Sequence, residues 1–318
     1  RYTELEFCNI IGHENIKLQI KNSVTSNRFS HAHIFVGEDG IGKSLLARET
    51  ALDILGKKQV KQYVDIIEFK MTKGKKSIGI EEVKNIIQEI NKKPYEGDKK
   101  VIILYNSDKM TEAAQNALLK TIEEPPSGSF MLLLCEKLDG ILDTIKSRCQ
   151  VYKLNRLSQK DMKIFLNAKF PNLSTEELKS VLAFSDGIPG RAEKFISDIS
   201  LSEMRNIILN VFKESCHEKF NSYLKLSEYI SKDNYEWQEV LTCILSYIRD
   251  VLVYKETGNR KFIINIDKFE DIKTIGEMFS FNKLNDIINI VKDAREKLEC
   301  NVNRTLVFNS MLVKMQEV

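Results

Sequence analysis

Up to about residue 155 the apolar positions of this chain alternate between two spacings. Short uninterrupted runs, His33-Ile34-Phe35-Val36 and Val101-Ile102-Ile103-Leu104, have the length and branched content of strands buried on both faces. Asp65–Phe69 and Phe130–Leu134 read as two more, and the Val101 run extends to Tyr105. Between these strands the apolar residues fall at helical spacing. Residues 16–24 predict one helix and Lys43–Leu55 a second. Ile80, Val83, Ile87 and Ile90 share a face of a third, which must stop before Pro94. Thr111 is placed to cap a fourth, with Ala114, Ala117, Leu118, Thr121 and Ile122 on one face and Pro125-Pro126 as its stop. Helices alternating with buried strands predict an α/β domain with a parallel sheet.

From 156 onward the pattern is helical only. Ser158 to Asp161, Ser174 to Glu177 and Ser200 to Glu203 are spaced as capping boxes or close relatives. Asp186-Gly187 supplies a helix stop, and Ile188-Pro189-Gly190-Arg191 separates that helix from the next. Residues 259–267 interrupt the later helices with an irregular or short extended stretch. The expected partition is an α/β domain over 1–155, a small helical lid over 156–200 and a larger all-α domain over 201–318.

Composition narrows the function classes. At 318 residues the chain accommodates two or three domains. Lys+Arg 48 against Asp+Glu 45 gives +3, too balanced to mark a nucleic-acid binder by charge alone. No apolar run approaches the ~18–20 residues of a membrane span. The N-terminus lacks signal-peptide features and an initiator Met, so a trimmed chain working in the cytoplasm is expected. The six cysteines, at 8, 135, 149, 216, 243 and 300, show no C-x-x-C spacing and are expected reduced, with no zinc. His31 and His33 are expected to serve packing.

The chemistry lies in Gly37-Glu38-Asp39-Gly40-Ile41-Gly42-Lys43-Ser44, which fills every position of G-x-x-x-x-G-K-[ST]. Gly37, Gly40 and Gly42 let successive backbone N–H groups face phosphate oxygens, and the following helix adds its positive end. Lys43 supplies a point charge, and Ser44 has the hydroxyl that would ligate Mg²⁺. A strand before the loop and a helix after it support the match. Hydrolysis requires more, normally an acid at a strand end to help hold the metal. Here Tyr105 and Asn106 follow the strand, and Asp108 arrives three positions late. Binding of ATP or ADP is expected, and independent turnover is not.

Asp108-Lys109-Met110-Thr111 through Gln115-Asn116-Ala117-Leu118-Leu119-Lys120-Thr121-Ile122-Glu123-Glu124-Pro125-Pro126 resembles the AAA+ clamp-loader subunits of bacterial DNA polymerase III. Ser147-Arg148-Cys149 matches that family's Ser-Arg-Cys motif, and Gly187-Ile188-Pro189-Gly190-Arg191-Ala192 resembles its second sensor. Ile10-Ile11-Gly12-His13 resembles the box near the adenine, and Asn301-Val302-Asn303 the family's last collar helix. The resemblance implies an AAA+ domain, a helical lid and an all-α collar. It implies nucleotide contacts from Ile11, Gly37, Gly40, Gly42, Lys43, Ser44 and Arg191, with Mg²⁺ through Ser44. It implies an arginine finger, Arg148, serving a neighbouring subunit in trans.

Tyr105-Asn106 in place of acids and Cys135-Glu136 in the first-sensor region depart from the motor subunits and are similar to the delta-prime subunits. The four-cysteine zinc module of many relatives is replaced by residues 56–62 without cysteine. The implied partners are the gamma/tau motor and delta subunits, with the sliding clamp and primer–template DNA reached through the assembly. A self-sufficient motor-type ATPase of the same fold is the alternative, and a scaffold with a relic loop is a third. Glu123-Glu124 are expected at solvent or an interface. The aromatics Phe220, Tyr223, Tyr229, Tyr235, Trp237, Tyr247 and Tyr254 are expected in packing.

Overall fold

The computed structural model describes residues 10–57, 61–72, 75–214, 221–231, 237–300 and 302–318. Cys8, residues 58–60, Cys216, Phe220, Tyr235 and Asn301 lie outside the described residues, as do the side chains of Ser200 and Tyr229. The chain divides into two compact units, one of residues 1–169 with 187–190, the other of 170–186 with 191–318. The segment 156–200 is therefore shared between them.

The first unit is the expected α/β domain. Its elements run α1 (Glu14–Thr25), β1 (Ala32–Val36), α2 (Lys43–Leu55), β2 (Ile66–Phe69), α3 (Ile80–Asn91), β3 (Lys100–Leu104), α4 (Glu112–Glu123), β4 (Ser129–Cys135), α5 (Asp143–Lys146), β5 (Gln150–Lys153) and α6 (Gln159–Lys169). The five strands are parallel in the order β2-β3-β4-β1-β5. Alternation along β3 explains why it had to be apolar throughout. Ile102 and Leu104 enter the layer against α3 and α4, while Val101 and Ile103 enter the layer against α1 and α2. β1 lies between β4 and β5, so the chain leaving it enters the crevice where strand order reverses.

Two local differences from the sequence reading have physical causes. The buried face of α3 is Val83, Ile86 and Ile90; Ile80, the first helical residue, stays 39% exposed. Asp65 precedes β2 instead of opening it, because its buried carboxylate accepts the backbone N–H groups of Tyr95 (2.7 Å) and Glu96 (2.8 Å). That fixes the turn after Pro94. Thr111 caps α4 as expected, accepting the Ala114 N–H at 3.3 Å.

The second unit holds α7 (Thr175–Ser185), most of α8 (Pro189–Ser197), and α9 (Ile199–Glu214), α10 (Asn221–Ser231), α11 (Trp237–Thr257), α12 (Phe269–Met278), α13 (Phe281–Glu299) and α14 (Arg304–Glu317). One core joins them, with Tyr223 and Tyr247 buried and Trp237 and Tyr254 packed at its edge. Ser174 and Glu177 form the expected capping box. α9 is capped by Asp198, whose carboxylate accepts the Leu201 N–H at 3.2 Å, and so starts earlier than Ser200 to Glu203 predicts. The irregular stretch consists of two 3₁₀ turns, Arg260–Phe262 and Ile266–Lys268. It hangs on the buried Asp250 carboxylate, which accepts the N–H groups of Ile264 and Asn265 and the Asn265 amide. Among the described residues no helix is long and apolar enough to cross a membrane.

Both N-terminal histidines pack. His31 pairs with the Ile122 carbonyl at the end of α4 (2.5 Å), and His33 is stacked between Phe29 and Tyr152 with its ring 1% exposed. Burial pushes the His33 pKa from 6.5 down to about 4. The unfolded chain thus binds a proton in this window that the folded chain refuses. Stability should be constant in this respect above pH 6.5 and fall as pH drops from 6.5 toward 4, by on the order of 2 kcal/mol at pH 5. Urea unfolding of wild type and His33→Phe at pH 7 and pH 5 checks this; the variant should lose that part of the pH dependence.

Candidate functional site

The phosphate-loop sequence forms a loop between β1 and α2 whose shape is fixed by its own backbone and by its apolar member. Ile41 is 2% exposed and anchors the loop in the core layer beneath α1 and α2. The Gly37 N–H donates to the Cys135 carbonyl at the end of β4 (3.2 Å). Gly40 and Gly42 both have left-handed backbones (φ 77° and 111°), as the turn into the helix requires. The Gly40 carbonyl accepts the Gly190 N–H at 2.9 Å, and a Cβ at Gly190 would lie 2.6 Å from the Gly40 Cα. Residues 187–190 therefore meet the loop tip through the Gly40–Gly190 backbone contact, with Ile188 sharing the core of Ile41.

Lys43 turns its ammonium onto the loop's own carbonyls, Gly37 at 2.6 Å and Glu38 at 2.8 Å. Burial lowers its pKa, opposed by the nearby charges of Asp39, Glu136 and Asp108. Glu136, in the first-sensor region, thus faces the loop lysine. Cys135 beside it is a buried thiol pushed up to about 12, with no thiolate character. Ile11 is half-buried next to His13, whose pKa is lowered by burial and whose buried Nε2 has no partner.

The end of β3 is where the arrangement departs from a hydrolase. The Tyr105 hydroxyl donates to Oε2 of Glu68 on β2 (3.0 Å). Both Glu68 oxygens also accept the fork of Arg48 on α2, at 2.6 and 2.9 Å, and Lys70 stands 3.4 Å away. Arg48 is the main cause holding the Glu68 carboxyl down to about 2. Asn106 takes a left-handed backbone (φ 52°), and the buried Ser107 hydroxyl donates to the Leu134 carbonyl at 2.9 Å. One Asp108 oxygen accepts the Lys137 N–H at 3.3 Å, while its other oxygen is buried without a partner. Among the described residues no three His, Cys, Asp or Glu side chains are placed to share a metal.

Arg148 sits on a different edge, after α5. Its guanidinium donates to the Thr144 carbonyl (2.9 Å) and the Ser147 hydroxyl (3.3 Å) and pairs with Glu123 at 2.7 Å. Glu123, expected at solvent or an interface, is thus the partner of Arg148. The side chains of Arg148 and Glu123 are 41% and 46% exposed. Gln115, buried on α4, positions this edge. Its amide donates to the carbonyls of Met110 (3.2 Å) and Gly140 (2.8 Å), and its oxygen accepts the Leu142 N–H (2.8 Å). Residue spacing does not announce that role; only a polar residue on an otherwise apolar helix face hints at it.

The structure thus gathers Gly37, Gly40, Gly42, Lys43 and Ser44 in one loop, with Ile11 and Gly190 adjoining. Arg148 stands apart on the α4–α5 edge. Arg191, exposed, belongs to the second unit.

A model of the family described as DNA polymerase III, delta subunit, matches residues 12–158, and one described as its C-terminal part matches residues 201–317. The chain is 24% identical to DNA polymerase III subunit delta' of Bacillus subtilis over 312 residues, covering 93% of this chain and 94% of the relative. It is 26% identical to the delta' subunit of Yersinia pestis over 250 residues, covering 77% and 72%. It is 25% identical to the gamma subunit of Buchnera aphidicola over 344 residues, covering 97% and 94%.

Replacing Gln115 by Ala strands one N–H and two carbonyls between α4 and α5. The expected cost is about 1–3 kcal/mol. Hydrogen exchange should show lost protection at the Leu142 amide, with the β1–β4 amides unaffected. Unchanged protection at Leu142 would refute the clamp.

Proposed function

The chain belongs to the DNA polymerase III clamp-loader family, and we propose that within it this is a delta-prime-type AAA+ subunit that holds ATP or ADP without hydrolysing it. The observation that carries this reading is the end of β3, where a phenol bound to the Glu68–Arg48 pair replaces the metal-holding acid. Lys43, Ser44 and the N–H groups of Gly40 and Gly42 bind the phosphates, while Gly37 shapes the loop with its N–H held by the Cys135 carbonyl. Ile11 lies toward the base, with Arg191 as a second-sensor contact. The lid and collar are the helical remainder, and the collar supplies the main association surface.

Catalysis in this reading lies next door. Arg148 reaches the γ-phosphate of a neighbouring gamma/tau subunit and stabilises the charge that develops as the phosphoryl group transfers. A guanidinium suits this because its planar fork meets two phosphate oxygens at once. The other partners are the delta subunit, the sliding clamp and primer–template DNA, all in the bacterial cytoplasm. The similarity to a gamma subunit along nearly the whole chain favours one second reading, a self-sufficient motor ATPase.

Three measurements test these readings. The purified chain should show no steady-state ATPase above background; substantial turnover supports the motor reading. Lys43→Ala should abolish ADP binding to the isolated chain. In a reconstituted loader, Arg148→Ala should lower clamp- and DNA-stimulated ATPase by roughly 10³-fold or more while leaving this chain's own nucleotide affinity intact. An unchanged rate would remove Arg148 from the role.

A further inference from the structure

We propose that Glu123 stores Arg148 between turnovers, holding the guanidinium on its own subunit until a neighbour's γ-phosphate takes the place of the carboxylate. This rests on the arginine-finger reading above and concerns how that same finger is kept idle.

A guanidinium grips two phosphate oxygens through one of two edges, each presenting a pair of N–H groups. Nε belongs to the side edge and Nη1 to the end edge, with Nη2 common to both. Here Nε lies 2.7 Å from Oε1 of Glu123. Nη1 donates to the Thr144 carbonyl (2.9 Å) and the Ser147 hydroxyl (3.3 Å). One donor of each edge is therefore committed. Neither edge can meet two phosphate oxygens until a partner lets go.

Glu123 is the partner that can. Thr144 and Ser147 belong to the turn that carries Arg148, closed by the Arg148 N–H on the Ile145 carbonyl (3.0 Å), so they travel with the arginine. Glu123 instead ends α4, a separate element seated in the core by Leu118 and Ile122. Both side chains of the pair are half-exposed, so water takes up the released carboxylate at little cost. A γ-phosphate offers the fork the same paired oxygens as the carboxylate and carries more charge, so it displaces Glu123 when a neighbour presents it. The Gln115 clamp keeps α4 and the segment leading to Arg148 at fixed spacing, so the pair re-forms once the phosphate leaves. Glu123 is thus a positioning residue, and it lowers the availability of the finger while no neighbour is seated.

The test is the ATPase of the reconstituted loader, measured with and without clamp and primed DNA. Glu123→Gln should raise the unstimulated rate about two- to fivefold, the effect of removing one exposed ion pair, and leave the stimulated rate within about twofold. An unstimulated rate that stays the same or falls, or a stimulated rate moved further than that, overturns the proposal. Glu123→Gln combined with Arg148→Ala should be no faster than Arg148→Ala alone. A rise that survives the loss of Arg148 means that Glu123 acts elsewhere, and it too overturns the proposal. If Arg148→Ala alone leaves the stimulated rate unchanged, the finger reading itself falls and the storage role with it, so the two failures are distinguishable.

Discussion

Everything at the candidate site depends on one pairing, β1 held in parallel register between β4 and β5. Because both neighbours run the same way, the loop leaving β1 emerges beside the end of β4, which delivers Glu136, with the end of β3 and Tyr105 one strand further on. The pairing is strongly specified, since a slip of one residue would exchange Ile34 with Phe35 and turn each toward the wrong helical layer. The site inherits its precision from that apolar constraint, with the polar groups merely occupying the positions it creates.

The same division of labour appears on the α4–α5 edge. Ala114, Leu118 and Ile122 seat α4 against the sheet, and Gln115 uses a buried polar position to hold the segment leading to Arg148. The long motif around Gln115 thus reads as scaffold. Arg148, the residue proposed to act on a neighbour, comes more than thirty residues later in sequence.

Much of this was legible from residue order. Uninterrupted apolar runs marked β1 and β3, the glycine pattern marked the loop, and Thr111 marked the start of α4, because each signal is local. What remained hidden is the pairing of polar groups from different elements. Arg48, Glu68 and Tyr105 lie on α2, β2 and the end of β3, and no spacing rule joins them. Likewise Asp198 and Ser200 both suit a cap; where the chain turns into α9 decides between them. Asp65 looked like strand because it precedes two isoleucines, yet its carboxylate is occupied thirty residues away.

The contact between Gly40 and Gly190 has a consequence of another kind. It is made from backbone on both sides, so no side chain can tune it by degrees. At Gly190 the smallest substitution, a single methyl group, already drives into the opposing Cα. Within the first unit the lip of the pocket is thus tied to Gly190 by a contact that sequence drift at Gly190 can break but cannot adjust.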